Sequence, residues 1–140
     1  MMLGGDMSHE LFWLVMTTAM TGLMWIPYIL DRIMVRGLAV SMANPSPNDK
    51  PQSPWAQRLM AAHRNAVENL VIFAPLVLAT QDLNVNLATP TTTLACQLYF
   101  WSRLIHAAVY TAGIPVLRTL AFAGGFVAQV MLVLALFKLA

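Results

Sequence analysis

Charge is what this 140-residue chain has least of: eight lysines and arginines and six acids make up 10% of it, with no long run of either sign. With a net charge of +2 and no basic stripe, and with the aromatics lying in apolar segments, nucleic acid is excluded as a partner. Cysteine is nearly absent too. Cys96 stands alone within an apolar run, so no disulfide can form within the chain, and a small buried hydrophobe is its expected role. His9, His63 and His106 are dispersed and no Cys/His group has ligand spacing, so no metal site is expected. Internal repeats, low-complexity stretches and inverted halves are also missing, which argues against a self-contained transporter. The start has Asp6 and Glu10 where a secretory signal carries basic residues, so a retained first helix is expected there.

What remains is apolar. Hydrophobic residues make up 59% of the chain and the mean hydropathy is +0.66, outside the range of soluble domains. A membrane-spanning helix needs about 20 apolar residues, and uncharged runs of that length occur from Leu11 to Leu30, Leu83 to Ser102 and Thr119 to Phe137. A fourth segment, Leu59 to Thr80, carries His63, Arg64, Asn65 and Glu68 in its first turns and spans only if those groups face protein or water. The expected fold is an all-α integral membrane protein, a single domain over 1–140. Its four-helix transmembrane bundle has spans over about 10–34, 57–81, 86–112 and 116–138, with a cytoplasmic loop over about 35–56.

Orientation follows from the cations near the span ends. Arg32, Arg36, Lys50 and Arg58 surround the first connection and Arg103 and Arg118 bracket the third, whereas the opposite side offers Asp6, Glu10, Asp82 and Lys138. Both termini are therefore expected on the non-cytoplasmic side. The first connection holds Asn44-Pro45-Ser46-Pro47 and a further cluster from Pro51 to Pro54, which break regular structure. The second, around Gln81–Pro90, is short and polar, and the third turns at Gly113 and Pro115. Short connections imply antiparallel neighbours. Pro27 and Pro75 are expected kinks, and Gly124, Gly125, Ala128, Ala107 and Ala108 permit close helix contact.

Polar residues inside apolar segments carry the functional information, because each costs about 3 kcal/mol at mid-bilayer unless paired or hydrated. Arg64 and Glu68 are four apart and Asn65 and Glu68 three apart, so they share one helix face. Arg103, His106 and Tyr110 form a second polar stripe. With the topology above, these residues gather at one depth with Arg36 and Arg118. Any one of them alone reads as a snorkelling cation or a structural ion pair, whereas convergence from four helices favours a site. Several arginines with an acid, an amide and a phenol suit a multiply charged anionic ligand. The bilayer supplies an apolar co-substrate.

These residues resemble the signature of the membrane-associated proteins in eicosanoid and glutathione metabolism, the MAPEG family. Arg58-Leu59-Met60-Ala61-Ala62-His63-Arg64-Asn65-Ala66-Val67-Glu68-Asn69 looks like the family's second-helix motif. Arg103, His106 and Tyr110 match the pattern of its third helix, and Pro115 with Arg118 the opening of its fourth. The pattern is that of a bacterial-type member resembling microsomal glutathione transferase and prostaglandin E synthase.

The resemblance implies a homotrimer of four-helix protomers that binds glutathione as co-substrate between subunits, near the cytoplasmic face. It implies that Arg64 and Arg36 hold glutathione carboxylates, Glu68 its amino group, and Asn65, His106 and Tyr110 its peptide. Arg118 matches the arginine that stabilises the thiolate. A free thiol titrates near pH ~8.5, and lowering that by about 2 units needs roughly 2.7 kcal/mol, within reach of one desolvated guanidinium contact. The thiolate would attack a lipophilic electrophile or peroxide, the chemistry of a detoxifying transferase or peroxidase. Phe122 stands where several members have tyrosine, Ala61 where some have a further arginine, and Asp49 has no sure counterpart, which speaks against prostaglandin-type isomerisation. The alternative is a non-catalytic subunit or scaffold of a larger membrane complex.

Overall fold

The computed structural model describes residues 6–81 and 87–138, and 80% of them are helical. No strand occurs among the described residues. The elements are α1 (His9–Leu23), α2 (Trp25–Arg36), α3 (Leu38–Met42), α4 (Pro54–Ala79), α5 (Pro90–Ala112) and α6 (Pro115–Leu136). Residue 86, the expected start of the third span, and Asp82 lie outside the described residues.

Local chemistry explains these boundaries. Proline stands at the first helical position of α4, α5 and α6, where its missing N–H costs nothing. Thr89 caps α5 through a reciprocal pair with Thr92. The α5 C-terminus closes on Gly113, left-handed at φ 80°, with the Ile114 N–H reaching back to the Val109 carbonyl at 3.0 Å. The first rod is interrupted at Met24, where the Pro27 ring cannot follow the preceding turn and leaves the Leu23 carbonyl without its helical donor. Pro75, by contrast, lies inside an uninterrupted α4. The connection over 35–56 is not all irregular as expected, because Gly37, at φ 79°, turns the chain into the short helix α3.

The helices pack side by side, α5 most extensively against α6, with α1 and α4 also against α5. Leu14, Phe73, Val77, Ala95, Cys96, Tyr99, Ala128 and Leu132 form the main core, centred on a parallel stack of Phe73 and Tyr99 rings 3.7 Å apart. Cys96 is fully buried, as a small hydrophobe should be. Close α5–α6 contact depends on Gly124 and Gly125, where a methyl group would meet Ser102 and Arg103. Glu10, also buried, accepts from the Thr92 and Thr93 hydroxyls at 2.7 and 2.8 Å and ties α1 to the start of α5.

The exterior is apolar: Leu23, Val71, Leu120 and Phe137 are all exposed. Such a surface is unfavourable in water and suits lipid. Two rods, His9–Arg36 and Pro115–Leu136, are long and apolar enough to cross a membrane by length and composition. α4 and α5 have the length, but their polar stripes dilute the hydropathy.

Candidate functional site

The site grows from one buried cation. Arg103 of α5 is 2% exposed and is the largest fully buried side chain. Its Nη1 donates to Oδ1 of Asn65 on α4 at 2.6 Å, and its guanidinium lies over the rings of Tyr99 and Phe122, 5.4 and 5.0 Å from their centroids. Nε and Nη2 have no hydrogen-bond partner. An arginine can only donate, so the Asn65 amide must turn its oxygen toward Arg103 and keep its NH₂ for something else. One turn on, the Asn69 Nδ2 donates to the backbone carbonyl of Asn65 at 2.9 Å.

One turn after Arg103, His106 is buried and meets Tyr110 edge to face at 5.5 Å. Arg118, in the first turn of α6, rests its guanidinium on the Tyr110 ring at 4.6 Å. Asn65, His106, Tyr110 and Arg118, with Thr119 and Phe122, line one cavity of about 220 Å³. No carboxylate lines it, and Arg118 has no ion pair among the described residues. The amide and the guanidinium supply donors alone, so the cavity favours an anion or an acceptor-rich ligand.

Four of the seven residues singled out from the sequence therefore come together. Arg64 and Glu68 are exposed on α4 and do not line the cavity. They also form no ion pair with each other: among the described residues the one ion pair is Arg36–Asp49, at 3.5 Å. Arg36 is spent on the first connection, with Nε donating to the Lys50 carbonyl at 2.7 Å. That connection is pinned further by buried Asp31, which accepts from the Ser53 N–H at 3.1 Å and from Gln52 at 3.3 Å.

Two contributors were not singled out as site residues from the sequence. Arg103 was visible as a member of a polar stripe, but its hold on Asn65 needs the α4–α5 packing. Phe122 was read only as a missing hydroxyl, yet it walls two spaces: the polar cavity and an apolar one of about 420 Å³ lined by Ile72 and Leu76 of α4 and by Phe126, Val130 and Val133 of α6.

Among known protein families, the model of the MAPEG family matches residues 11–138. No curated protein matches the chain.

Proposed function

The chain belongs to the MAPEG family, whose membership supports a membrane role tied to glutathione or eicosanoid metabolism, and from that premise we propose a glutathione-dependent transferase or peroxidase of lipophilic electrophiles. The observation that carries this reading is the cavity around Asn65, His106, Tyr110 and Arg118, which three helices line with donors and no acid. In this reading the thiolate sits against Arg118, whose guanidinium has no acidic partner among the described residues. The Asn65 NH₂, oriented by Arg103, donates to the peptide. A lipophilic substrate lies in the apolar space across Phe122, next to the sulfur.

A volume of about 220 Å³ is below the ~300–1,000 Å³ typical of whole-ligand pockets. Glutathione would extend out of it along α4 toward exposed Arg64 and Glu68. Those two groups, and Arg36 from a neighbouring copy, would complete the site in a homotrimer of four-span protomers with both termini on the non-cytoplasmic side.

The test is glutathione binding and turnover of chlorodinitrobenzene by the detergent-purified protein. Arg118→Ala is expected to abolish turnover while leaving binding measurable, and Glu68→Ala to weaken binding. Wild-type protein that neither binds glutathione nor turns over would sink the enzyme reading. The second reading, a non-catalytic scaffold, draws on Arg36 being occupied by Asp49 and Lys50 and on Arg64 and Glu68 lying outside the cavity. Failure of binding would favour it.

A further inference from the structure

Arg58 belongs to the second-helix motif but has no part in the site described above. It lies in the second turn of α4, and its Nε donates to the Thr111 carbonyl at the end of α5 at 2.9 Å. It packs beside Gly113. A methyl group there would come within 3.3 Å of Nε and 3.4 Å of Cζ, and the left-handed φ of 80° is one that other residues rarely adopt. Arg58 therefore packs closely against the α5 C-terminus. Neither Nη atom has a hydrogen-bond partner among the described residues.

Arg58 faces a cavity of about 220 Å³ together with Tyr110, Gly113, Ile114, Pro115 and Arg118. A second opening, of about 420 Å³, flanks its other side beside Gln57 and Ala61. No acidic residue lines either space. Neither guanidinium has an acidic partner among the described residues; two cations on the walls of one small cavity repel each other, and an anion between them relieves that repulsion.

We propose that the cavity between Arg58 and Arg118 binds a phosphate group, either free or as the head of a membrane lipid. A carboxylate satisfies one fork bidentately, whereas forks from two helices suit the several oxygens of a phosphate. The cavity has room for a headgroup rather than a whole ligand. Because Arg118 lines both this cavity and the one beside Asn65, a bound phosphate draws on the guanidinium assigned to the thiolate. This regulatory consequence rests on the glutathione reading; phosphate binding itself does not.

The experiment is phosphorus NMR of inorganic phosphate titrated against detergent-purified protein, with chloride holding ionic strength constant. Wild type is expected to give saturable line broadening, Arg58→Gln an affinity lower by about tenfold, and Arg58→Lys, which keeps the charge but loses the fork, an intermediate value. Circular dichroism checks that each variant is folded. Absence of saturable broadening in wild type overturns the proposal, as does equal affinity in a folded Arg58→Gln.

Repeating the titration in phosphatidylcholine nanodiscs with and without phosphatidylglycerol separates the sources. Displacement by phosphatidylglycerol assigns the site to a lipid head, and none assigns it to free phosphate. Where glutathione turnover is present, phosphate should raise the KM for glutathione in wild type and have little effect in Arg58→Gln. Turnover that is absent while phosphate still binds removes the glutathione reading and leaves this one standing.

Discussion

Replacing Gly125 with alanine adds one methyl group where α6 packs closely against Arg103 of α5. That carbon would lie 2.8 Å from Nη2, 2.9 Å from Nε and 3.2 Å from Cζ of Arg103. The guanidinium cannot simply swing away, because Tyr99 and Phe122 hold its faces and Asn65 holds Nη1 at 2.6 Å. Either α6 moves out, at an overpacking cost of about 1–3 kcal/mol, or Arg103 leaves Asn65 and forfeits a charge-assisted bond of about 1.5–3 kcal/mol. Helix propensity runs the other way and favours alanine by about 1 kcal/mol. The expected net loss is about 1 kcal/mol, read from reversible unfolding in mixed detergent micelles.

A double-mutant cycle with Asn65→Ala separates the two routes. If the methyl group acts by displacing Arg103 from Asn65, its cost falls by at least about 1 kcal/mol once Asn65 is already gone. Additive costs, or a Gly125→Ala protein within about 0.5 kcal/mol of wild type, would refute the claim that Arg103 is locked between the rings and Asn65.

Three further outcomes follow from other contacts. Tyr110→Leu removes the ring beneath Arg118, a contact worth about 0.5–2 kcal/mol, and should slow glutathione turnover several-fold, whereas Tyr110→Phe keeps the ring and should keep most of the rate. Asp31→Ala removes the acceptor of the Ser53 N–H and one of the two acceptors of the Gln52 amide, so limited proteolysis should cut the 43–53 connection faster than in wild type; equal rates would mean that Arg36 with Lys50, and Gln52 with Tyr28 and Arg32, suffice to hold it. Glu10→Ala removes the acceptor of the Thr93 hydroxyl and leaves the Thr92 hydroxyl with the Thr89 carbonyl alone, which should cost about 1–3 kcal/mol, while Glu10→Gln, which retains an acceptor oxygen, should cost less in the same unfolding assay.

Much of the molecule was legible in one dimension because apolar runs and breakers are local properties. The runs from Leu11, Leu59, Leu83 and Thr119 foretold helices, and Gly113 with Pro115 foretold the tight α5–α6 turn. α3 was missed because a five-residue helix has too short a period to stand out beside Asn44 and Pro45. The topology argument gathered Asn65, His106, Tyr110 and Arg118, which line one cavity, whereas the spacing argument put Arg64 and Glu68 on one face and those two do not pair. Sharing a helix face brings side chains within reach, but exposed ones gain too little from pairing to be held there.

The sequence by itself determined that this chain is helical, apolar on most faces, poor in charge and marked by one family's pattern of polar residues, since all of these reside in residue type and spacing. Tertiary structure decided which polar groups are spent and which are free. Arg36 is tied down by the Lys50 carbonyl and Asp49, Arg103 is buried against Asn65, and Arg58 and Arg118 line a shared space with no acidic partner among the described residues. That division depends on which helices lie side by side and how closely, and the closeness in turn depends on single methyl groups absent at Gly113 and Gly125.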